Sequence, residues 1–130
     1  MHNLIYACVL TDDIERLDTF YRQVLQLEPQ AREAYREFAT QPGIFSLWSL
    51  AEFRQIVGDA AARRAAQGSV MLEFQVADAD AEYTRLKSLS GVAIDFVLPP
   101  TTLPWGNRSI YFRDPDGNLV NFFTPPPPSR

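Results

Sequence analysis

A chain of 130 residues, 46% of them hydrophobic, has material for one domain or for two small modules sharing a core. Its formal net charge of −4, with no stretch that gathers Lys and Arg, argues against a nucleic-acid or anionic-membrane surface. The single cysteine, Cys8, excludes an intramolecular disulfide, no run approaches the roughly 20 apolar residues of a membrane span, and the first residues do not read as a signal peptide; a cytoplasmic protein is expected.

Leu4 to Leu10 is apolar and partly β-branched and reads as a strand. Asp12, with Glu15 three residues on, makes a capping-box-like helix start, and Ile14, Leu17, Phe20, Tyr21, Val24 and Leu25 recur at helical spacing, which predicts one apolar stripe laid on a sheet. Glu33 to Thr40 is weakly patterned as a strand, and Gly43 to Trp48 more firmly so. Ser49 with Glu52 opens a short helix, and from Gly58 to Ser69 the composition turns to Ala, Arg and Gly, as in a linker.

Beyond it the order returns. Val70 to Val76 alternates as a half-buried strand, with Met71 the one apolar exception on its second face, and Asp78 starts a helix through Tyr83, Leu86 and Leu89. Ala93 to Leu98 is the next strand and Pro99 to Pro104 a proline-rich loop; Asp114-Pro115-Asp116-Gly117 then supplies the turn of a closing hairpin. Asp13 and Asp78 stand half the chain length apart, each following a strand and opening a helix, so the pattern is that of two β-α-β-β-β units. The expected boundaries are 1–57 and 70–124 for the units, 58–69 for the linker and 125–130 for a frayed polyproline tail.

The string Trp105-Gly106, Arg108, Tyr111-Phe112-Arg113-Asp114-Pro115-Asp116-Gly117-Asn118 resembles the closing hairpin of the vicinal-oxygen-chelate superfamily, the group of glyoxalase I, extradiol dioxygenases and fosfomycin- and bleomycin-resistance proteins. Thr11 to Leu17, leading into Phe20-Tyr21 and Val24-Leu25, resembles it in the first half. The resemblance implies an α+β fold in which paired β-α-β-β-β modules curl into a half-open barrel around a pocket, usually in a homodimer. It also implies, for active members, a divalent metal held by His or Gln on the first strand of a module and Glu on its last. Counting from Asp13, Asp78 and Asp114 places those positions at Tyr6, Met71 and Asn121, none a customary ligand, and the first-module strand Gly43 to Leu50 has no Asp, Glu or His. With His2 the only histidine, a two-histidine, one-carboxylate site cannot be assembled within one subunit, so no metal and no cofactor are expected.

Strand alternation then decides what the pocket offers. Cys8 joins Tyr6, Glu73 and Gln75 join Met71, and Leu119 and Phe123 flank Asn121, while Val70, Leu72, Phe74 and Val76 face the helix. Glu73 either receives a cationic or hydrogen-bond-donating ligand or is satisfied by Arg108 or water. Trp48, Trp105 and Tyr111 add aromatic faces for a planar ligand, with core packing an equal reading for Trp48, and Cys8 is a small hydrophobe rather than a nucleophile. The leading expectation is a metal-free protein that sequesters a planar aromatic or cationic metabolite or antibiotic, with no catalytic residue. The alternatives are a glyoxalase-, lyase- or dioxygenase-type enzyme using Glu73 as base with Tyr6 or Arg108 on an enolate, and a partner-binding scaffold.

Overall fold

The computed structural model describes residues 4–60, 62 and 70–128. The chain divides into two compact units, Met1–Ala65 and Ala66–Arg130. Most of the expected linker, residues 61 and 63–69, lies outside the described residues, as do the last two residues of the tail.

The first unit runs β1 (Tyr6–Thr11), α1 (Ile14–Leu25), β2 (Gln30–Arg32), β3 (Tyr35–Ala39), β4 (Ile44–Ser49) and α2 (Leu50–Val57). Its sheet has the order β1-β4-β3-β2, with β1 parallel to β4 and the rest antiparallel. The weak strand expected over Glu33 to Thr40 is one arm of a short hairpin, β2 being the other; Glu33 turns the chain at a positive φ of 51°. Leu17, Phe20, Tyr21 and Val24 of α1 are buried, with Val9, Phe38, Phe45 and Leu47 as the matching sheet face. Tyr21 meets Phe45 edge-on at 4.7 Å between ring centroids.

The cap of α1 is Asp13, whose carboxylate accepts from the Arg16 amide at 3.1 Å, one residue later than the Asp12 box predicts. Glu15 is unavailable for a reciprocal box because its Oε1 takes Arg36 Nη2 at 2.8 Å. Arg36, buried on β3, also donates to Asp18 Oδ2 of α1 at 2.7 Å and to the carbonyls of Glu33 and Tyr35. Asp18 is itself buried and takes a second bond from Arg22 at 2.6 Å. Burial alone pushes its carboxyl up, but the bonds from Arg22 and Arg36 outweigh that and hold it below the usual range.

The second unit repeats the order as β5 (Met71–Gln75), α3 (Ala79–Lys87), β6 (Asp95–Thr102), β7 (Arg108–Arg113) and β8 (Leu119–Thr124), in a sheet ordered β5-β8-β7-β6. Asp78 caps α3 by accepting from the Ala81 amide at 3.1 Å. Where a loop is predicted from Pro99, β6 instead continues to Thr102. It is an edge strand broken by register shifts, where a proline without an N–H costs little. The hairpin turn is built on Asp114: Oδ1 accepts from the amides of Asp116 and Asn118, each at 2.9 Å, and Oδ2 from Asn118 Nδ2 at 2.9 Å. Gly117 takes φ 88° there, a conformation side chains resist.

Residues 125–128 have no regular structure, but they do not simply fray: a side chain on Gly106 would meet the Pro126 ring at 3.3 Å. Gly106, at φ 100°, therefore lets the tail pass close over the 103–107 turn.

Candidate functional site

In each unit one face of the sheet lies under the helix that follows its first strand, α1 or α3, and alternation decides which side chains the opposite face carries. α2 borders that opposite face in the first unit, beside Trp48. In the first unit the register sets Cys8 opposite Ser46 and Ser46 opposite Glu37, with Leu10, Trp48 and Tyr35 forming the next row. This face opens into a groove of about 740 Å³, bounded by Tyr6, Tyr35 and Trp48 as aromatic walls and by Glu33, Glu37 and Glu52. Arg32 is the one basic residue among its linings. The size falls within the range of small-molecule sites.

The walls are held by the carboxylates. Trp48 Nε1 donates to Glu52 Oε1 at 3.0 Å, and Glu52 Oε2 accepts the Ala34 amide at 3.3 Å, which ties α2 to the β2–β3 turn. Tyr35 donates its hydroxyl to Glu37 Oε2 at 2.9 Å, and its ring stands edge-on to Trp48 at 5.9 Å. Phe53 backs Trp48 from α2 at 5.2 Å. Burial pushes the Tyr35 phenol up, Ser46 draws it partly back, and Glu37 adds to the rise, so at neutral pH Tyr35 is the donor in this pair.

Of the residues singled out from sequence, Tyr6 and Trp48 bound this groove. Cys8 shares the face beside a buried Ser46; the residue as a whole is exposed, but desolvation at its sulfur pushes the thiol pKa up, only partly offset by Ser46, so it is a thiol rather than a thiolate at neutral pH. In the second unit Glu73, Asn121 and Tyr111 form one row across β5, β8 and β7, with Met71 exposed two residues from Glu73. Asn121 Nδ2 donates to Glu73 Oε1 at 3.0 Å.

Arg108 is not with them. It lies on the helix side of β7 and grips Asp80 of α3 through Nε at 3.0 Å and Nη2 at 2.9 Å. Of the partners that the sequence left open to Glu73, Arg108 is thus taken by Asp80, and it does not join the face it was expected to line. The Asp80 carboxyl is lowered by that hydrogen bond and the Arg108 guanidinium raised by it. Glu73 is exposed rather than enclosed by apolar surface. Trp105 stands in the 103–107 turn between β6 and β7, 66% exposed and outside the strands.

Tyr35, Glu33, Glu37 and Glu52 escaped the sequence reading. The alternation Tyr35-Arg36-Glu37-Phe38 carried the signal, since a face holding Arg36 and Phe38 under the helix leaves Tyr35 and Glu37 on the other side. Glu52 was legible only as the partner of the Ser49 cap, whose hydroxyl does accept the Glu52 amide at 3.3 Å.

The sequence matches the glyoxalase-like domain over residues 4–124. The chain belongs to that family. Among solved structures it is similar to a glyoxalase/bleomycin resistance protein/dioxygenase from Nocardioides, at 26% identity and a TM-score of 0.80, covering 100% of this chain and 87% of that one. It is also similar to a glyoxalase-related enzyme from Fulvimarina pelagi, at 18% identity, TM-score 0.79, and coverage of 95% and 88%. A lactoylglutathione lyase from Agrobacterium tumefaciens aligns at 23% identity, TM-score 0.72, over 94% and 92%. A search of curated proteins gives no match. These neighbours share the α+β fold of two four-stranded mixed sheets expected for the vicinal-oxygen-chelate superfamily.

The glyoxalase-like family implies a metal, and the residues here do not fit one. The register makes Ser46, opposite Cys8, the first-unit counterpart of Asn121, opposite Glu73. The four corresponding positions thus offer a phenol, a hydroxyl, a thioether and an amide, neutral donors that do not offset the dehydration of a divalent ion. The Asn121 amide nitrogen is moreover committed to Glu73. Among the described residues no group of three His, Cys, Asp or Glu is placed to hold a metal.

Proposed function

We propose that this glyoxalase-like protein binds a planar, cationic small molecule in the groove of its first unit and holds it without a metal ion. The observation that carries the reading is the pairing of aromatic walls with carboxylates: Trp48 and Tyr35 are each locked by a glutamate, Glu52 and Glu37. Locked rings offer π faces at little entropic cost, and three glutamates against one arginine give the groove a negative field. A cation stacked on Trp48 or Tyr35 gains from both, whereas an anion is repelled.

The chemistry of the face supports sequestration over turnover. Cys8 is held as a thiol, Tyr35 donates to Glu37, and the metal positions carry neutral groups. The protein acts as a homodimer in this reading, supported by Leu4, Ile5 and Tyr6, large apolar side chains exposed at the start of the edge strand β1 and just before it.

Native mass spectrometry of freshly purified protein, before and after zinc, nickel, manganese and iron(II) are added, tests this. The expected result is a dimer that carries an organic adduct and takes up no metal. Stoichiometric uptake of any of the four ions contradicts it and makes a metal-dependent lyase or dioxygenase the better reading.

A further inference from the structure

In the second unit, among the described residues, two polar atoms on the helix-free face are buried without a hydrogen-bond partner: Ser109 Oγ on β7 and Asn121 Oδ1 on β8. Both side chains are more than nine-tenths buried, at 0% and 3% exposure. Unmade hydrogen bonds on buried groups are rare in native proteins, and two on neighbouring strands of one face ask for a common partner. Ser109 pairs with Phe123 and Asn121 with Tyr111, so the two are diagonal neighbours across β7 and β8, a relation that typically sets Cα atoms about 7–8 Å apart, a span that one small group can bridge.

The direction of the Asn121 amide is decided by its neighbour. Glu73 Oε1 is an acceptor and demands a donor, so the nitrogen faces β5 at 3.0 Å and the planar amide turns its oxygen the other way, towards β7, the strand that carries Ser109 and Tyr111. What results is a solvent-exposed carboxylate on β5 beside the Asn121 amide oxygen on β8, with the buried Ser109 hydroxyl diagonal to that amide on β7.

We propose that Asn121 Oδ1 and Ser109 Oγ, backed by the charge of Glu73, form a site for a protonated primary amine. An ammonium group has three donors and no acceptor, which matches an amide oxygen and a hydroxyl that can turn its lone pairs towards it, beside a negative charge. A carboxylate or phosphate could take the Ser109 hydroxyl proton but would meet the Asn121 oxygen and the Glu73 charge, both of which repel it. A divalent cation would find a single carboxylate whose Oε1 already takes a bond from Asn121. The site uses residues of the second unit only and does not depend on the groove of the first, because none of that groove's linings belongs to this unit. It also gives the position where the family's metal ligand would stand a different task, that of an oriented hydrogen-bond acceptor.

The test is a titration of the full-length ¹⁵N-labelled protein with benzylammonium at pH 7, against benzyl alcohol and benzoate as neutral and anionic controls. The Asn121 side-chain amide pair, assigned by its loss in Asn121→Leu, should shift with benzylammonium and with neither control. Ser109→Ala removes an unpaired hydroxyl, so it should keep or raise Tm while weakening benzylammonium binding about tenfold, the loss expected for one hydrogen bond. Glu73→Gln, which retains an acceptor for Asn121 but loses the charge, should weaken binding comparably. Equal shifts with benzyl alcohol, or unchanged affinity in Ser109→Ala, would show a site filled by water or any hydroxyl and overturn the proposal. Shifts confined to the Trp48 indole N–H would also overturn it, while leaving the first-unit groove as a cation site.

Discussion

The two units share one topology and are tied together internally by different means. In the first, α1 is fastened to β3 by a buried ion pair, Asp18 with Arg36, whose side chains are 5% and 9% exposed. In the second, α3 is fastened to β7 by Asp80 with Arg108, at 56% and 40% exposed, and to β6 by the edge-on rings of Tyr83 and Phe96 at 4.8 Å. The same β-α-β-β-β order thus tolerates an interior charge in one copy and a surface charge in the other. The difference teaches where each unit is vulnerable: a buried pair is costly to break, and an exposed one is not.

The largest contrast should therefore come from matched substitutions. Asp18→Leu leaves Arg36 buried beside an apolar side chain and should cost about 3–5 kcal/mol in urea denaturation, and Asp18→Leu with Arg36→Met should recover much of that. Asp80→Leu should be near neutral. Asp18 also predicts the acid limb. Its folded pKa lies below the unfolded value of about 3.9, so its stabilisation is complete above that pH and is lost as pH falls through the lowered folded value. In Asp18→Asn the stability should vary less over that window. Equal losses for Asp18→Leu and Asp80→Leu would erase the contrast.

The turns sharpen it in the other direction. Asp114 satisfies two backbone amides and the Asn118 side chain, and Asp114 and Asn118 are both buried. Asp114→Ala should cost about 2–3 kcal/mol, by leaving those donors without an acceptor, and the loss should register by hydrogen exchange first in β7 and β8.

Much of this was legible in the sequence. The repeat of strand, Asp cap and helix carried the two-unit order, and Asp114-Pro115-Asp116-Gly117-Asn118 carried the closing hairpin, because turn and cap chemistry is local. Strand alternation likewise put Glu73, Met71 and Asn121 on the helix-free side, as the register has them. What was not legible depends on strand partners. Arg108 reads as a pocket residue until β7 is paired with β8 and its parity sends it to Asp80. Tyr35 and Glu37 acquire meaning only when β3 lies beside β4 and brings Trp48 next to Tyr35. Pro99 and Pro100 read as loop because nothing local reveals that their strand is an edge.

The smallest effects are optical and separate the two tryptophans. Trp48 is half-buried and bonded to Glu52, whereas Trp105 is 66% exposed. Trp105→Phe should therefore remove the acrylamide-accessible emission and leave a blue-shifted signal from Trp48 alone. Unchanged quenching in that variant would mean that Trp48 is no better shielded than Trp105.

That single-tryptophan protein supports the most direct test of the central claim, a titration with proflavine, a planar cation, followed by Trp48 emission. Saturable quenching that weakens about tenfold in Glu37→Gln, and is absent for an uncharged tricyclic of the same size, is the predicted result. Equal quenching by the neutral compound, or affinity indifferent to Glu37→Gln, would contradict an acidic aromatic groove built to hold a cation.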